Sequence, residues 1–299
     1  VNILFDNVNF SSNSGPNSFA KKLAYQFKDA DYNVSINGEN SPIDVQLSFI
    51  SNKERRAPIA LRLDGIYFNL EQNWTLLNEP IKRSYGIANA IIFQSEFNKL
   101  LIEKYFGPHE NSHVIHNGTN LEWIKNIKPI EAPVLDNFAG TWCCASSWRP
   151  HKRLEENVRF FLDFAPSNYC LVIAGDNLNH QIDNPRIFYA GNLDWTSLIA
   201  LYKRSEVFLH LAWLDHCPNV VVDARAAGCK IICSSTGGTK EVAGKGATII
   251  QEDEWNLDPV KLYHPPTMNF SNTLENELDI DISILRSSEM YLDVLSEII

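Results

Sequence analysis

Two carboxylates, Asp215 and Asp223, stand seven residues apart with a Pro218-Asn219 step between them. Proline suits the first position of a helix, and the N–H groups of a first helical turn form an anion site suited to a diphosphate. Asn219 and Val220 would present that site. Asp223 would lie about one turn further in, able to accept hydrogen bonds from hydroxyls. Asp215 would lie just before the helix, at the carboxyl end of a strand, where open α/β sheets bind ligands. The plainer alternative is that Asp215 only caps the helix and Asp223 faces solvent. A second cluster, Ser146–Arg153, places Arg149, His151, Lys152 and Arg153 within five residues. Three such cations repel one another unless they are exposed or face an anion. An arginine fork and a lysine point charge are common diphosphate partners, and a solvated basic turn is the alternative.

The elements around these clusters alternate. Asn2–Phe5 reads as a strand, followed by a polar loop with Gly15-Pro16 and a helix near Asn17–Lys28 with Phe19, Leu23 and Phe27 on one face. Strands are expected at Asn33–Ile36, Val45–Ile50, Ile59–Leu63, Ala90–Phe93 and His113–His116, with a helix near Glu96–Tyr105. After a linker at Ile127–Asp136 the pattern restarts: strand Thr141–Ala145, helix His151–Phe164, strands Cys170–Ala174 and Arg186–Ala190, then a helix near Trp195–Lys203. Strand Val207–Leu211, helix Asn219–Ala227 and strands Lys230–Ser234 and Thr248–Ile250 follow. Residues 252–281 read as acidic and irregular, and Ile282–Ile299 as an amphipathic helix. Strands alternating with helices argue for parallel sheets covered on both faces. The domains expected are 1–130, 131–281, and a terminal helix at 282–299 packing back toward the first.

Composition restricts what the chain can be. Its 299 residues suffice for about two domains at roughly 150 residues each. A net charge of −10 disfavours nonspecific binding to nucleic acid. No apolar run reaches the ~18 residues of a membrane span, and the N-terminal residues do not read as a signal peptide. The six cysteines are read as reduced thiols, and the five N-x-S/T sequons as idle in a soluble, cytoplasmic protein. His116, His151, His210 and His216 are expected to be packed or hydrogen-bonded rather than catalytic. Trp142, Trp148, Trp195 and Trp213 are expected in core or rim, and Lys21, Lys22 and Lys28 on a solvated face.

Taken in order, several stretches resemble glycosyltransferase family 4, retaining enzymes of the GT-B fold. They are Gln94–Phe97, Val114–Asn120, Trp148–Arg153, Ile173–Asp176, Tyr189–Leu193, Asp215–Asp223, Gly228–Cys233 and Thr236–Glu241. The resemblance implies an α/β protein with two Rossmann-like domains facing each other across a cleft. It implies that Arg149 and Lys152 hold the donor diphosphate with the backbone at Asn219 and Val220. Asp223 would bind the ribose hydroxyls, Asp215 would contact the donor sugar, and Leu193 would approach the base through its backbone. Gly15 falls where the family has a glycine-rich loop, and Asp64, in Arg62–Gly65, where many members place a His or Asp beside the reacting sugar.

The chain departs from the family pattern in five places. Both acidic positions are Asp rather than Glu, Ser147 occupies the usual Arg position, Arg153 replaces the Gly after the lysine, and Gly15 lacks a second Gly. The activity implied is metal-independent transfer of a hexose-type sugar from a nucleoside-diphosphate sugar to a hydroxyl of a glycan or other acceptor, with no cofactor beyond that co-substrate. No Asp-x-Asp cluster lies between hydrophobic strands, so cations and helix N–H groups would stabilise the leaving group. A hydrolase or epimerase of the same fold, or a catalytically silent sugar-nucleotide-binding protein, are the alternatives. No strong amphipathic membrane face stands out, which favours a glycan over a lipid acceptor and leaves peripheral membrane contact open.

Overall fold

The computed structural model describes residues 1–12, 14–36, 42–178 and 181–299. The chain divides into two compact units, one of Val1–Asn120, Asn256–Val260 and Asp281–Ile299, the other of Leu121–Trp255 and Lys261–Ile280.

The first unit begins with β1 (Asn2–Asp6), α1 (Gly15–Asp29), β2 (Asn33–Ile36), β3 (Val45–Phe49) and β4 (Ile59–Leu63). It continues with α2 (Trp74–Ile87), β5 (Ala90–Phe93), α3 (Glu96–Phe106) and β6 (Ser112–Val114). The six strands form one sheet in the order β2-β1-β3-β4-β5-β6, every pair parallel. Strands β3, β4 and β5 are buried along their whole length; β4 and β5 are almost wholly apolar, as strands covered on both faces are, and the buried Gln46 and Ser48 of β3 donate to Asp6 Oδ2 at 3.1 and 2.9 Å. Phe19, Leu23 and Phe27 of α1 pack with Phe5, Phe49 and with Tyr291, Val294 and Leu295 of the C-terminal helix Ile284–Glu297.

Helix α2 was not apparent from the sequence, because Pro80 interrupts its pattern. Tertiary anchoring offsets the lost hydrogen bond. Asn73 caps the first turn through Leu76 N, and Asn78 exchanges hydrogen bonds with the backbone of Tyr67 at 2.8 and 2.6 Å.

The second unit contains α4 (Leu121–Asn126), β7 (Gly140–Ala145), α5 (Leu154–Phe164), β8 (Tyr169–Ala174), β9 (Ile187–Gly191) and α6 (Trp195–Arg204). Then come β10 (Val207–His210), α7 (Asn219–Ala226), β11 (Lys230–Ser234), α8 (Thr239–Val242), β12 (Thr248–Ile250) and β13 (Thr273–Glu275). The sheet order is β13-β12-β11-β10-β7-β8-β9, parallel except for β13. The short strand β13 lies in the stretch that reads as irregular. The units divide at Asn120, ahead of the linker-like Ile127–Asp136. The reason is local packing: Trp123 stacks on Trp195 with centroids 4.0 Å apart, and Ile130 N donates to Ala200 O at 2.9 Å.

All six cysteines are buried free thiols, and burial pushes Cys233 up to about 12, so they serve as packing groups. Among the described residues no helix is long and apolar enough to cross a membrane.

Candidate active site

In the second sheet the chain runs outward from β7 through β8 to β9, then returns to the other side of β7 with β10. The carboxyl ends of β7 and β10 therefore flank a topological switch point, the usual ligand position in an open α/β sheet. The two clusters singled out in the sequence are the loops that leave these strands. Residues 146–153 follow β7, and residues 211–218 follow β10.

The loops meet at Asp215. Lys152 Nζ donates to Asp215 Oδ2 at 2.5 Å, and His210 Nε2 lies 2.9 Å from the same oxygen. The other carboxylate oxygen accepts from His216 N at 3.0 Å. Burial alone would raise the pKa of Asp215, but Lys152 and then His210 outweigh it and hold the carboxyl well below its usual range. His210 is held low chiefly by its burial, against the raising effect of Asp215. Burial likewise lowers His151 to about 3 and His216 to about 4, so both are neutral near pH 7. The Asp215 side chain does not cap α7, whose cap position is Pro218.

Several contacts fix this geometry. Gly175 has φ of +120°, and a Cβ there would stand 1.8 Å from Ser146 O. A glycine is thus required where β8 ends against the basic loop. Trp148 donates its indole N–H to Ala174 O at 2.9 Å, and Trp213 N donates to His151 O at 2.7 Å. Asn157 donates to Arg153 O at 2.7 Å and accepts from Leu211 N at 3.3 Å, tying the two loops together. Gly237, at φ +87°, pairs with Asp215 so closely that a Cβ would sit 2.5 Å from Asp215 O.

The basic cluster divides its charge three ways. Lys152 faces Asp215. Arg153 is buried and left-handed at φ 54°, with its guanidinium bonded to Glu252 Oε1 at 2.7 Å and Pro266 O at 2.9 Å. That left-handed φ is one a glycine adopts freely, which accounts for the Gly of the family pattern. Arg149 is exposed, at the mouth of a 3-10 turn over Pro150–Lys152 that replaces the first turn of the helix expected from His151.

Asp223 is buried on the second turn of α7, not solvent-facing, and its Oδ2 accepts the indole N–H of Trp195 at 2.9 Å. Trp195 starts α6, two residues beyond Leu193, which is half-buried in the loop after β9. Asn219 and Val220 form the first turn of α7, where helix geometry directs backbone N–H groups outward.

In the first unit, Gly15 is the first residue of α1 and Asp64 follows β4. Arg62 is fully buried. It pairs with Asp64 and bonds Asn117 Oδ1 at 2.8 Å and Tyr291 OH at 3.0 Å. Asp64 Oδ2 is buried without a hydrogen-bond partner among the described residues, and desolvation raises its pKa against the pull of Arg62. Lys21 and Lys22 are not merely solvated: they reach Ser12 O at 3.0 Å and Thr119 Oγ1 at 3.2 Å.

The contacts of His210, Asn157 and Trp195 were not legible as such. His210 was visible only as a histidine ending an apolar strand five residues before Asp215.

Two parallel α/β sheets with ligand-side loops of this kind define a GT-B protein, and the comparisons bear this out. HepE from Anabaena, in a structure with UDP-glucose, superposes with a TM-score of 0.70 at 14% identity over 99% of both chains. Sucrose-phosphate synthase from Thermosynechococcus elongatus gives 0.65 at 12% identity over 84% of this chain and 86% of its own. WaaG, a glycosyltransferase of lipopolysaccharide biosynthesis, gives 0.61 at 11% over 98% and 90%. At these identities the likeness is one of fold. Residues 141–256 match the family described as glycosyl transferases group 1. No curated protein matches the chain by sequence.

Proposed function

We propose that the protein is a retaining glycosyltransferase that moves a hexose-type sugar from a nucleoside-diphosphate sugar to an acceptor hydroxyl. The observation that carries this is the meeting of Lys152, His210 and Asp215 between the carboxyl ends of β7 and β10, within the family-matched segment.

On this reading Lys152 and Arg149 stabilise the charge that develops on the diphosphate as the glycosyl–phosphate bond breaks. The first turn of α7, at Asn219 and Val220, adds backbone N–H groups and the positive end of the helix dipole. Asp215, kept anionic, fixes Lys152 and accepts from hydroxyls of the donor sugar. Neutral His210 holds Asp215 without adding charge. Asp223 binds the ribose, and the backbone at Leu193 meets the base. With retention, the acceptor hydroxyl attacks from the face the phosphate leaves. Its proton passes to the departing phosphate oxygen, so no general base is required. Asp64 orients or stabilises the cationic sugar, and Gly15 serves acceptor handling. The donor and a hydroxyl acceptor are the only partners the chemistry needs, and a cytoplasmic setting would supply the donor.

The test is a thermal-shift panel of nucleoside diphosphates and their sugars on wild type and Asp223→Ala. UDP and UDP-glucose come first, since the HepE structure carries UDP-glucose. A ligand at about 100 times its Kd stabilises the folded state by ~2.7 kcal/mol. A shift with one base that Asp223→Ala abolishes supports the donor site. No shift with any nucleotide refutes it. Donor consumption without acceptor would favour the hydrolase alternative.

A further inference from the structure

At the carboxyl edge of the first sheet, polar side chains from distant parts of the chain close on one another. Arg62 comes from β4 and Asp64 from the loop after it. Gln94 directly follows β5, Asn117 lies beyond β6, and Tyr291 stands on the C-terminal helix. The fully buried Arg62 guanidinium donates from Nε to Tyr291 OH at 3.0 Å and from Nη1 to Asp64 Oδ1. From Nη2 it donates to Gln94 Oε1 at 3.3 Å and Asn117 Oδ1 at 2.8 Å. Its Cζ lies 4.6 Å from the ring centroid of Phe19 and 5.5 Å from that of Phe49. Gln94 in turn donates to the backbone carbonyl of Asp64 at 2.7 Å and accepts from Asn117 Nδ2 at 3.2 Å.

Stability does not account for this arrangement. Taking a guanidinium out of water costs about as much as its pairing returns, so an apolar side chain of similar volume would serve the core as well. What the network supplies is direction. A planar fork held by four acceptors and two rings has one orientation, and it takes up only one oxygen of Asp64. The other, Oδ2, is buried without a hydrogen-bond partner among the described residues, a costly state that a ligand hydroxyl would relieve. Gln94 and Asn117 lie in stretches singled out in the sequence, yet no step of the proposed chemistry uses them.

On the reading of Asp64 proposed above, we infer that Arg62 and Tyr291 are positioning residues: Tyr291 holds the Arg62 fork, and Arg62 holds Asp64 so that Oδ2 meets the reacting sugar. The C-terminal helix thereby acts on the chemistry without touching substrate. Arg62 also supports the charge of Asp64, since burial raises the pKa of that carboxyl and Arg62 opposes the rise. Of the other groups packed on the pair, Phe19 and Phe49 are apolar, Gln94 and Asn117 are neutral, and Tyr291 faces Arg62.

UDP release from UDP-glucose, followed as kcat and KM against pH, tests this in Tyr291→Phe, Arg62→Met and Asp64→Asn. Tyr291→Phe keeps the ring in the core and removes only the hydroxyl, so it carries the test even where Arg62→Met lowers stability. It should lose roughly three- to tenfold in kcat with KM unchanged. Arg62→Met leaves Asp64 to burial, so the acid limb of kcat should move up by about one pH unit or more. Carboxyl-carbon NMR of aspartate-labelled protein, with Asp64 assigned by its loss in Asp64→Asn, should show the same rise without turnover. In the Asp64→Asn background neither other substitution should lower kcat further, because both act through that carboxylate. Wild-type kcat in Asp64→Asn refutes the role of Asp64 and the inference with it. A loss in Asp64→Asn that Tyr291→Phe does not share, or losses that simply add in the double variants, overturn the inference alone. So does an Asp64 titration that stays in place in Arg62→Met.

Discussion

Removing Lys152 as Lys152→Ala isolates the group on which the proposed chemistry depends. In the folded protein its ammonium and the Asp215 carboxylate, side chains 18% and 15% exposed, sit 2.5 Å apart. Breaking a buried pair costs 3–5 kcal/mol, and partial exposure puts this one near about 3 kcal/mol. For a unit of this size that is a fall in Tm of roughly 6–12 °C. The variant should recover part of that loss in acid. With Lys152 gone, one cause holding His210 low disappears, while burial, the largest, remains. A His210 held less far below its unfolded value of about 6.5 costs the fold less as pH drops below that value than it costs wild type. The Tm gap between wild type and variant should therefore narrow as pH falls below about 6.5. Turnover, assayed as nucleoside diphosphate release from the donor, should fall on the order of 10²–10³ at pH 8. A turnover loss under about threefold would refute the charge-stabilising role. A Tm gap independent of pH would refute the Lys152–Asp215–His210 coupling.

Three other outcomes are expected. His151 and His216, held to about 3 and about 4, bind protons more readily unfolded than folded, so stability should fall as pH drops below 6.5. By pH 4 each contributes about 3 kcal/mol of loss, and acid titration by circular dichroism should show an unfolding midpoint that His216→Gln moves lower. Trp195→Phe keeps a ring over Trp123 but removes the N–H that holds Asp223 Oδ2. It should weaken nucleotide binding by a factor of roughly three to ten, and a 2′-deoxynucleotide, lacking a ribose hydroxyl, should be less affected. Equal loss for both would count against Asp223 as the ribose contact. Gly175→Ala forces a Cβ against Ser146 O at φ +120°, and denaturant titration should show a loss of about 3 kcal/mol or more.

Much of the scaffold was legible because it depends on local periodicity. The strands at 33–36, 59–63 and 90–93, and the Phe19, Leu23 and Phe27 face of α1, sit where apolar spacing placed them. The Pro218-Asn219 step does open α7. What escaped was nonlocal. Pro80 hid α2, which owes its stability to contacts with Tyr67 and the sheet rather than to its own pattern. Arg153 reads as one more cation in a basic loop, yet Glu252, ninety-nine residues away, holds it buried. Its left-handed φ breaks the helix expected to run from His151.

The sequence by itself determined the parallel α/β elements, the family resemblance, and the residue types at the carboxyl ends of β7 and β10, because side-chain period and local turn chemistry encode them. Only the tertiary structure decided how the charges are shared. Asp215 is not a helix cap but the anion that Lys152 and His210 meet, Asp223 is claimed by an indole N–H, and three neighbouring cations point to three different surroundings. The physical reason is that burial and pairing across 28 to 99 residues set both the ionisation and the direction of a side chain, and no local pattern carries that information.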